Sequence, residues 1–151
     1  MMGWRHRLLA LACAFASQSL WAQTPGAALF EAHCSACHQA DGSGTVGLAP
    51  ALKGAHWPTL GKDRQYLPTV LTKGLSGRIE VNGQVFVGSM PAFASQLDDA
   101  ALALLAQHVR VLQNSAEGEP PYTAAELATA RQTAGSPPQT RQKRQALLGL
   151  R

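Results

Sequence analysis

At 151 residues the chain has room for one domain, and 13 Lys+Arg against 9 Asp+Glu give a formal net charge of +4 with only 15% charged residues. Apolar residues make up 46%, but beyond residue 22 Gly and Pro break every run short of the ~18 residues a membrane span needs, which argues against an integral membrane protein. So few basic residues also argue against nucleic acid as a partner.

The N-terminus reads as a secretory signal: Arg5 and Arg7, the apolar run Leu8–Ala16, then the more polar Ser17–Ala22. Cleavage is expected after Ala22, with Ser17-x-Ser19 as the alternative, so residues 1–22 are lost on export to the periplasm. His6 separates the arginines, which is not a twin-arginine signal. The run before Cys13 is too short for a lipoprotein, leaving Cys13 as a small apolar residue. Without residues 1–22 the charge is +2, unevenly spread. Arg131, Arg141, Lys143, Arg144 and Arg151 occupy the last 21 residues, which hold no acid, leaving −3 for residues 23–130.

Thr24 is a good N-cap and Pro25 suits a first helical position, so a helix is expected to about Ala36. The mature chain's two cysteines stand in it as Cys34-Ser35-Ala36-Cys37-His38. Residues three apart share a helical face, so both thiols can reach two vinyl groups on one porphyrin edge while His38 offers a neutral nitrogen to the iron. The motif therefore predicts one covalent haem c, attached through Cys34 and Cys37. Three other readings compete. A disulfide is open to an exported protein, though a two-residue gap strains it. A thioredoxin-like pair wants a βαβ context. Zinc needs two more ligands, and only the scattered His33, His56 and His108 are left.

Residues 39–62, rich in Gly and carrying Pro50 and Pro58, show no period and read as a loop around the cofactor, with Trp57 in the core or against the haem. A short helix is expected over Tyr66–Lys73, stopped by Gly74. The alternation in Ile79–Phe86 around Asn82-Gly83 predicts a β-hairpin. Met90 is the only methionine after the signal. In Gly88-Ser89-Met90-Pro91 it is expected on an extended loop, because Pro91 disfavours helix, and a thioether there can serve as sixth iron ligand. Core filling is the ordinary alternative for a lone Met, and His56 or His108 compete as axial ligand. Asp98 caps a last domain helix with Leu102, Leu105, Val109 and Leu112 on one face.

Taken in order, Gly26–Phe30, Cys34-x-x-Cys37-His38, Asp41–Gly44, Gly47–Leu52, Gly88–Pro91 and the last helix make residues 25–113 resemble a class I c-type cytochrome. The resemblance implies an all-α class I cytochrome c fold around one covalently bound haem, here with a small β-hairpin insert and a C-terminal helical or flexible extension. It implies His38 and Met90 as metal ligands. It also carries to Pro50 a backbone carbonyl that accepts from the proximal imidazole, a bond that would fix the tautomer. His108 stands where a Tyr is common in the crossing of first and last helices.

The expected layout is a signal at 1–22, a cytochrome c domain at 23–113 and a linker with basic extension at 114–151. In the extension, Thr123-x-x-Glu126 reads as a capping box opening a helix to about Ala134, Gly135–Pro138 as a loop, and Gln139–Arg151 as a segment able to form a basic helix. Either it is a solvated flexible tail, or it docks on an acidic partner or an anionic membrane surface.

An iron with both axial positions filled has no place for substrate, and no nucleophile elbow, phosphate loop or H-E-x-x-H is present. The expected function is one-electron carriage in the periplasm between a dehydrogenase or membrane reductase and an oxidase or another cytochrome, as free shuttle or complex subunit. The alternative is a haem enzyme or gas sensor with a labile sixth ligand.

Overall fold

Thr24 opens the first helix as its sequence predicts, its hydroxyl accepting from the Ala27 amide and Pro25 at the first turn. The computed structural model describes residues 24–115 and 117–150, so the signal expected at 1–22, with Cys13, and the terminal Arg151 lie outside the described residues. Helix α1 (Pro25–His33) ends earlier than the expected Ala36. Cys34, with φ −127° and ψ −33°, breaks it, and the one-turn helix α2 (Ser35–His38) follows. The break leaves Cys34 buried and Cys37 exposed.

After the 39–56 loop come α3 (Trp57–Leu60), a turn inside the stretch expected to be irregular, and α4 (Tyr66–Lys73), which matches its predicted bounds. Gly74 ends α4 at φ 73°, where an added Cβ would lie 2.5 Å from the Met90 carbonyl oxygen, so glycine is required both by conformation and by space. Strands β1 (Leu75–Val81) and β2 (Gln84–Met90) pair antiparallel, with Leu75 opposite Met90 and Gly77 opposite Gly88. Their turn is Asn82-Gly83, both at positive φ as a two-residue hairpin turn demands. The hairpin is longer at its base than the expected Ile79–Phe86. Consequently Met90 is the last residue of an edge strand, a correction to the extended loop expected for it.

Helix α5 (Asp99–Leu112) is capped by the Asp98 carboxylate, which accepts from the Ala101 amide. It crosses α1, burying Leu102, Leu105, Ala106 and Val109 with Phe30. His108 fills the crossing, its ring tilted on Phe30 at 5.3 Å. Gly26 makes the approach possible: an added Cβ would sit 2.4 Å from the Leu104 carbonyl oxygen. Gly26→Ala should therefore lower stability by about 1–3 kcal/mol through forced separation of the helices. A thermal melt should show the loss as a midpoint several degrees lower.

The chain continues through α6 (Ala124–Gln132), opened by the predicted Thr123/Glu126 capping box, into α7 (Pro137–Leu147), which starts inside the expected Gly135–Pro138 loop. A solvated flexible tail does not describe this extension. Helix α6 packs on α4 and α5, and α7 packs on β1, α3 and α4. Its cations turn inward. Arg131 pairs with Asp99 and donates to the carbonyls of Ala94 and Leu97, and Lys143 meets Asp63 at 2.9 Å.

Arg64 reaches across from the domain to pair with Glu126, donates to the Pro121 carbonyl and lies 4.5 Å over the Tyr122 ring. Hydrogen bonding from Arg64, helped by Thr123, holds the Glu126 carboxyl at about 2. Its stabilising contribution is thus present above the ordinary value of 4.5 and is lost as pH falls toward 2. Glu126→Gln is expected to flatten the acid limb of the pH–stability curve in that window. Denaturant melts of the two proteins between pH 2 and 5 would check it.

Candidate functional site

Cys34, Cys37, His38, Pro50 and Met90, drawn from α1–α2, the following loop and β2, line one cleft with a cavity volume of about 190 Å³. One wall carries Leu60, Tyr66 and Val70, and the hairpin adds Leu75, Ile79, Val81 and Phe86. Met90 packs against both hydrophobic clusters of the molecule, joining the wall built by α3 and α4 to the α1–α5 core.

Local backbone bonds set His38 in place. The Gly44 amide donates to the His38 carbonyl, the Thr45 hydroxyl to the Cys37 carbonyl, and the Leu52 amide to the Gly42 carbonyl, folding the loop back over α2. An added Cβ at Gly44 would lie 2.6 Å from the backbone of Pro50 and Ala51, so only glycine lets the strands of this loop close. The closure brings the Pro50 carbonyl oxygen 2.9 Å from His38 Nδ1. With Nδ1–H donating there, Nε2 carries the free lone pair. Burial lowers the His38 pKa, partly opposed by this bond, so the imidazole is neutral at neutral pH, the form that ligates.

Other readings of the cysteines lose ground. Burial and the neighbouring Cys37 push the Cys34 thiol up to about 11, opposite to the depressed value of a dithiol redox pair. The two cysteines form no disulfide. Among the described residues no three His, Cys, Asp or Glu side chains gather as a metal cluster, which a zinc site would need. His108 lies in the helix crossing and does not line the cleft, whereas His56 does, its ring 5.2 Å from Trp57.

The comparisons with known proteins agree on one family. The Cytochrome c family matches residues 23–113. Two cytochromes c-552 of Thermus thermophilus are each 37% identical, over 131 and 130 residues; each match covers 83% of this chain, and 87% and 98% of the relative. The chain belongs to the cytochrome c family, as a class I c-type cytochrome. Residues 1–113 make up only three-quarters of the chain, so this similarity extends into the C-terminal extension.

As a cytochrome c, this chain is an electron-transfer protein of a family that carries covalently bound haem c. The cleft suits that group. It is chiefly apolar, as a macrocycle face requires, and Trp57, one of the residues lining it, has a buried Nε1 with no protein partner, a donor suited to a carboxylate of the cofactor. Trp57 was legible in the sequence only as a core or haem-packing residue. Tyr66 and Arg144 also line the cleft and were not singled out for it. The one signal for Arg144 was its spacing from Thr140 and Leu147, four and three residues away on a single helical face.

Proposed function

We propose that the mature protein is a periplasmic one-electron carrier with a single haem c, which Cys34 and Cys37 would attach and whose iron His38 and Met90 would ligate. Bound there, the haem supplies reversible one-electron chemistry between Fe(II) and Fe(III). The observation that carries the reading is the His38–Pro50 bond at 2.9 Å, which leaves Nε2 as the ligating nitrogen. Met90 is preferred over His56 as the second ligand because it packs on both hydrophobic clusters that meet at the cleft. A thioether favours the ferrous state, and apolar walls limit solvent reorganisation.

Electrons would enter and leave at the cleft rim, where Cys37 is exposed and Leu48 is 61% exposed beside Val46 at 81%. The partners proposed are a dehydrogenase or membrane reductase on one side and an oxidase or another cytochrome on the other. Export rests on the pattern of residues 1–22, and no helix among the described residues is long and apolar enough to cross a membrane.

Visible spectra of the exported protein, oxidised and reduced, with and without carbon monoxide, test this. A low-spin spectrum with the weak red band of a Met–Fe(III) bond, unmoved by carbon monoxide, is expected. A high-spin or carbon-monoxide-sensitive spectrum would replace the carrier with a haem enzyme or gas sensor.

A further inference from the structure

We propose that Arg144 of α7 is the counter-charge for a haem carboxylate, which makes the C-terminal extension part of the cofactor site; the inference rests on the haem reading above. Among the described residues two arginines are deeply buried, Arg110 at 6% and Arg144 at 3% exposed. A buried guanidinium is costly unless its charge and donors are met.

Arg110 is met within the protein. It donates to the carbonyls of Pro120 and Ser115 and lies 5.6 Å over the Tyr122 ring. Arg144 is not met in the same way. Of its five N–H donors one, on Nη2, reaches the Glu80 carbonyl oxygen at 3.0 Å, and no carboxylate among the described residues pairs with it. The other tail cations that form ion pairs, Arg131 and Lys143, each found an acid.

Arg144 lines the cleft together with Trp57, whose buried Nε1 has no partner, and with Tyr66 and His56. Three separate elements thus bring donors and one positive charge to an otherwise apolar cavity. A haem contributes two carboxylates, and a guanidinium fork matches a carboxylate's two oxygens.

Helix α7 is fixed so that Arg144 points inward. Leu147 and Leu148 pack on Leu60, Tyr66 and Val70, and Lys143 pins the helix to Asp63. The Arg141 side chain crosses Gly77 of β1, where an added Cβ would lie 2.8 Å from Nε. A fixed positive charge next to the cofactor favours the ferrous state, which is the less positive one. Arg144 is therefore a positioning residue that ties the extension to the haem and raises its potential.

The test uses the full-length holoprotein and the variants Arg144→Leu, Arg144→Lys and Lys143→Ala, read by spectroelectrochemical titration and by limited proteolysis across residues 137–147. Arg144→Leu is expected to lower the midpoint by at least tenfold in the redox equilibrium, 59 mV for one electron. Arg144→Lys should recover part of that shift, because it keeps the charge and loses the fork. Lys143→Ala should loosen α7 at its Asp63 contact and lower the midpoint less than Arg144→Leu does, because Leu147 and Leu148 still seat the helix on Leu60, Tyr66 and Val70. A wild-type midpoint in Arg144→Leu with α7 still protected overturns the proposal. So does an equal fall in Arg144→Leu and Lys143→Ala, which would make Arg144 a purely structural anchor. In both cases an intact low-spin haem spectrum leaves the carrier reading standing, whereas a parent protein without covalent haem overturns both.

Discussion

Met90→Ala is expected to convert a protein indifferent to carbon monoxide into one that binds it, and to lower the reduction potential on the order of 0.1 V, within the ~0.8 V over which axial ligands tune haem proteins. The direction follows from the thioether: a soft neutral donor stabilises Fe(II), and its removal leaves water or nothing in its place. The hairpin determines that no neighbour can substitute cheaply. Met90 is the last residue of β2, paired with Leu75 across the sheet, and Pro91 removes an amide that would otherwise extend the ladder. The Phe93 amide then donates to the Leu71 carbonyl, anchoring the chain on α4. Truncation also removes contacts to two hydrophobic clusters, so a loss of about 2 kcal/mol in stability is expected. Met90→His separates ligation from packing. It should resist carbon monoxide as a six-coordinate bis-histidine protein and still show the lowered potential. Parent-like behaviour of Met90→Ala would remove Met90 from the ligand set, and His56→Ala would then be the next variant to titrate.

What could be read in the chain before its structure divides along physical lines. Local chemistry was legible where one residue fixes the backbone. Thr24-Pro25 began a helix, Asn82-Gly83 made the hairpin turn, Gly74 ended α4, and Thr123/Glu126 closed a capping box. The five candidate site residues were nameable because the spacing of Cys34, Cys37 and His38 is itself chemical information, and the cleft gathers all five. Long-range arrangement was less legible. The strand pairing runs past Phe86 to Met90, where the buried Leu75 stands opposite Met90 and Met90 packs on the α1–α5 core, and nothing local to Val87-Gly88-Ser89 signals it.

The extension was harder still. Its composition resembles that of a solvated segment, and charge content alone does not say whether a cation faces water or an acid 30 to 80 residues away. Arg131 with Asp99, Arg64 with Glu126 and Lys143 with Asp63 are such pairs, made by tertiary packing. Only the helical stripe Thr140, Arg144, Leu147 carried a trace of the buried face.

Removing both thiols should have the largest effect on the fold as a whole. In Cys34→Ala/Cys37→Ala, exported and purified, no haem should survive denaturing electrophoresis, and the cooperative thermal transition seen by circular dichroism should weaken or vanish. The reason lies in how the two hydrophobic clusters meet. Cys34, Leu52 and Phe93 of the α1–α5 cluster form one side, Leu60, Tyr66 and Val70 the other, with Met90 common to both and the cleft between. A protein folding without anything bound there must collapse or flood that space. At ~24 cal/mol per Å³ of cavity, the roughly 190 Å³ inside the cleft costs about 4–5 kcal/mol, comparable to the lower end of the ~5–15 kcal/mol of net stability typical of a domain. Arg144 would meanwhile keep a buried charge with one carbonyl for a partner, so α7 should loosen first and proteolysis should begin in the extension. Single variants discriminate between the thiols. Cys34 is buried in the α1–α5 cluster and Cys37 is exposed at the rim, so Cys37→Ala should retain more bound haem and a higher melting midpoint than Cys34→Ala. A double variant that melts like the parent would show that the polypeptide alone completes its core and that the cofactor adds function without fold.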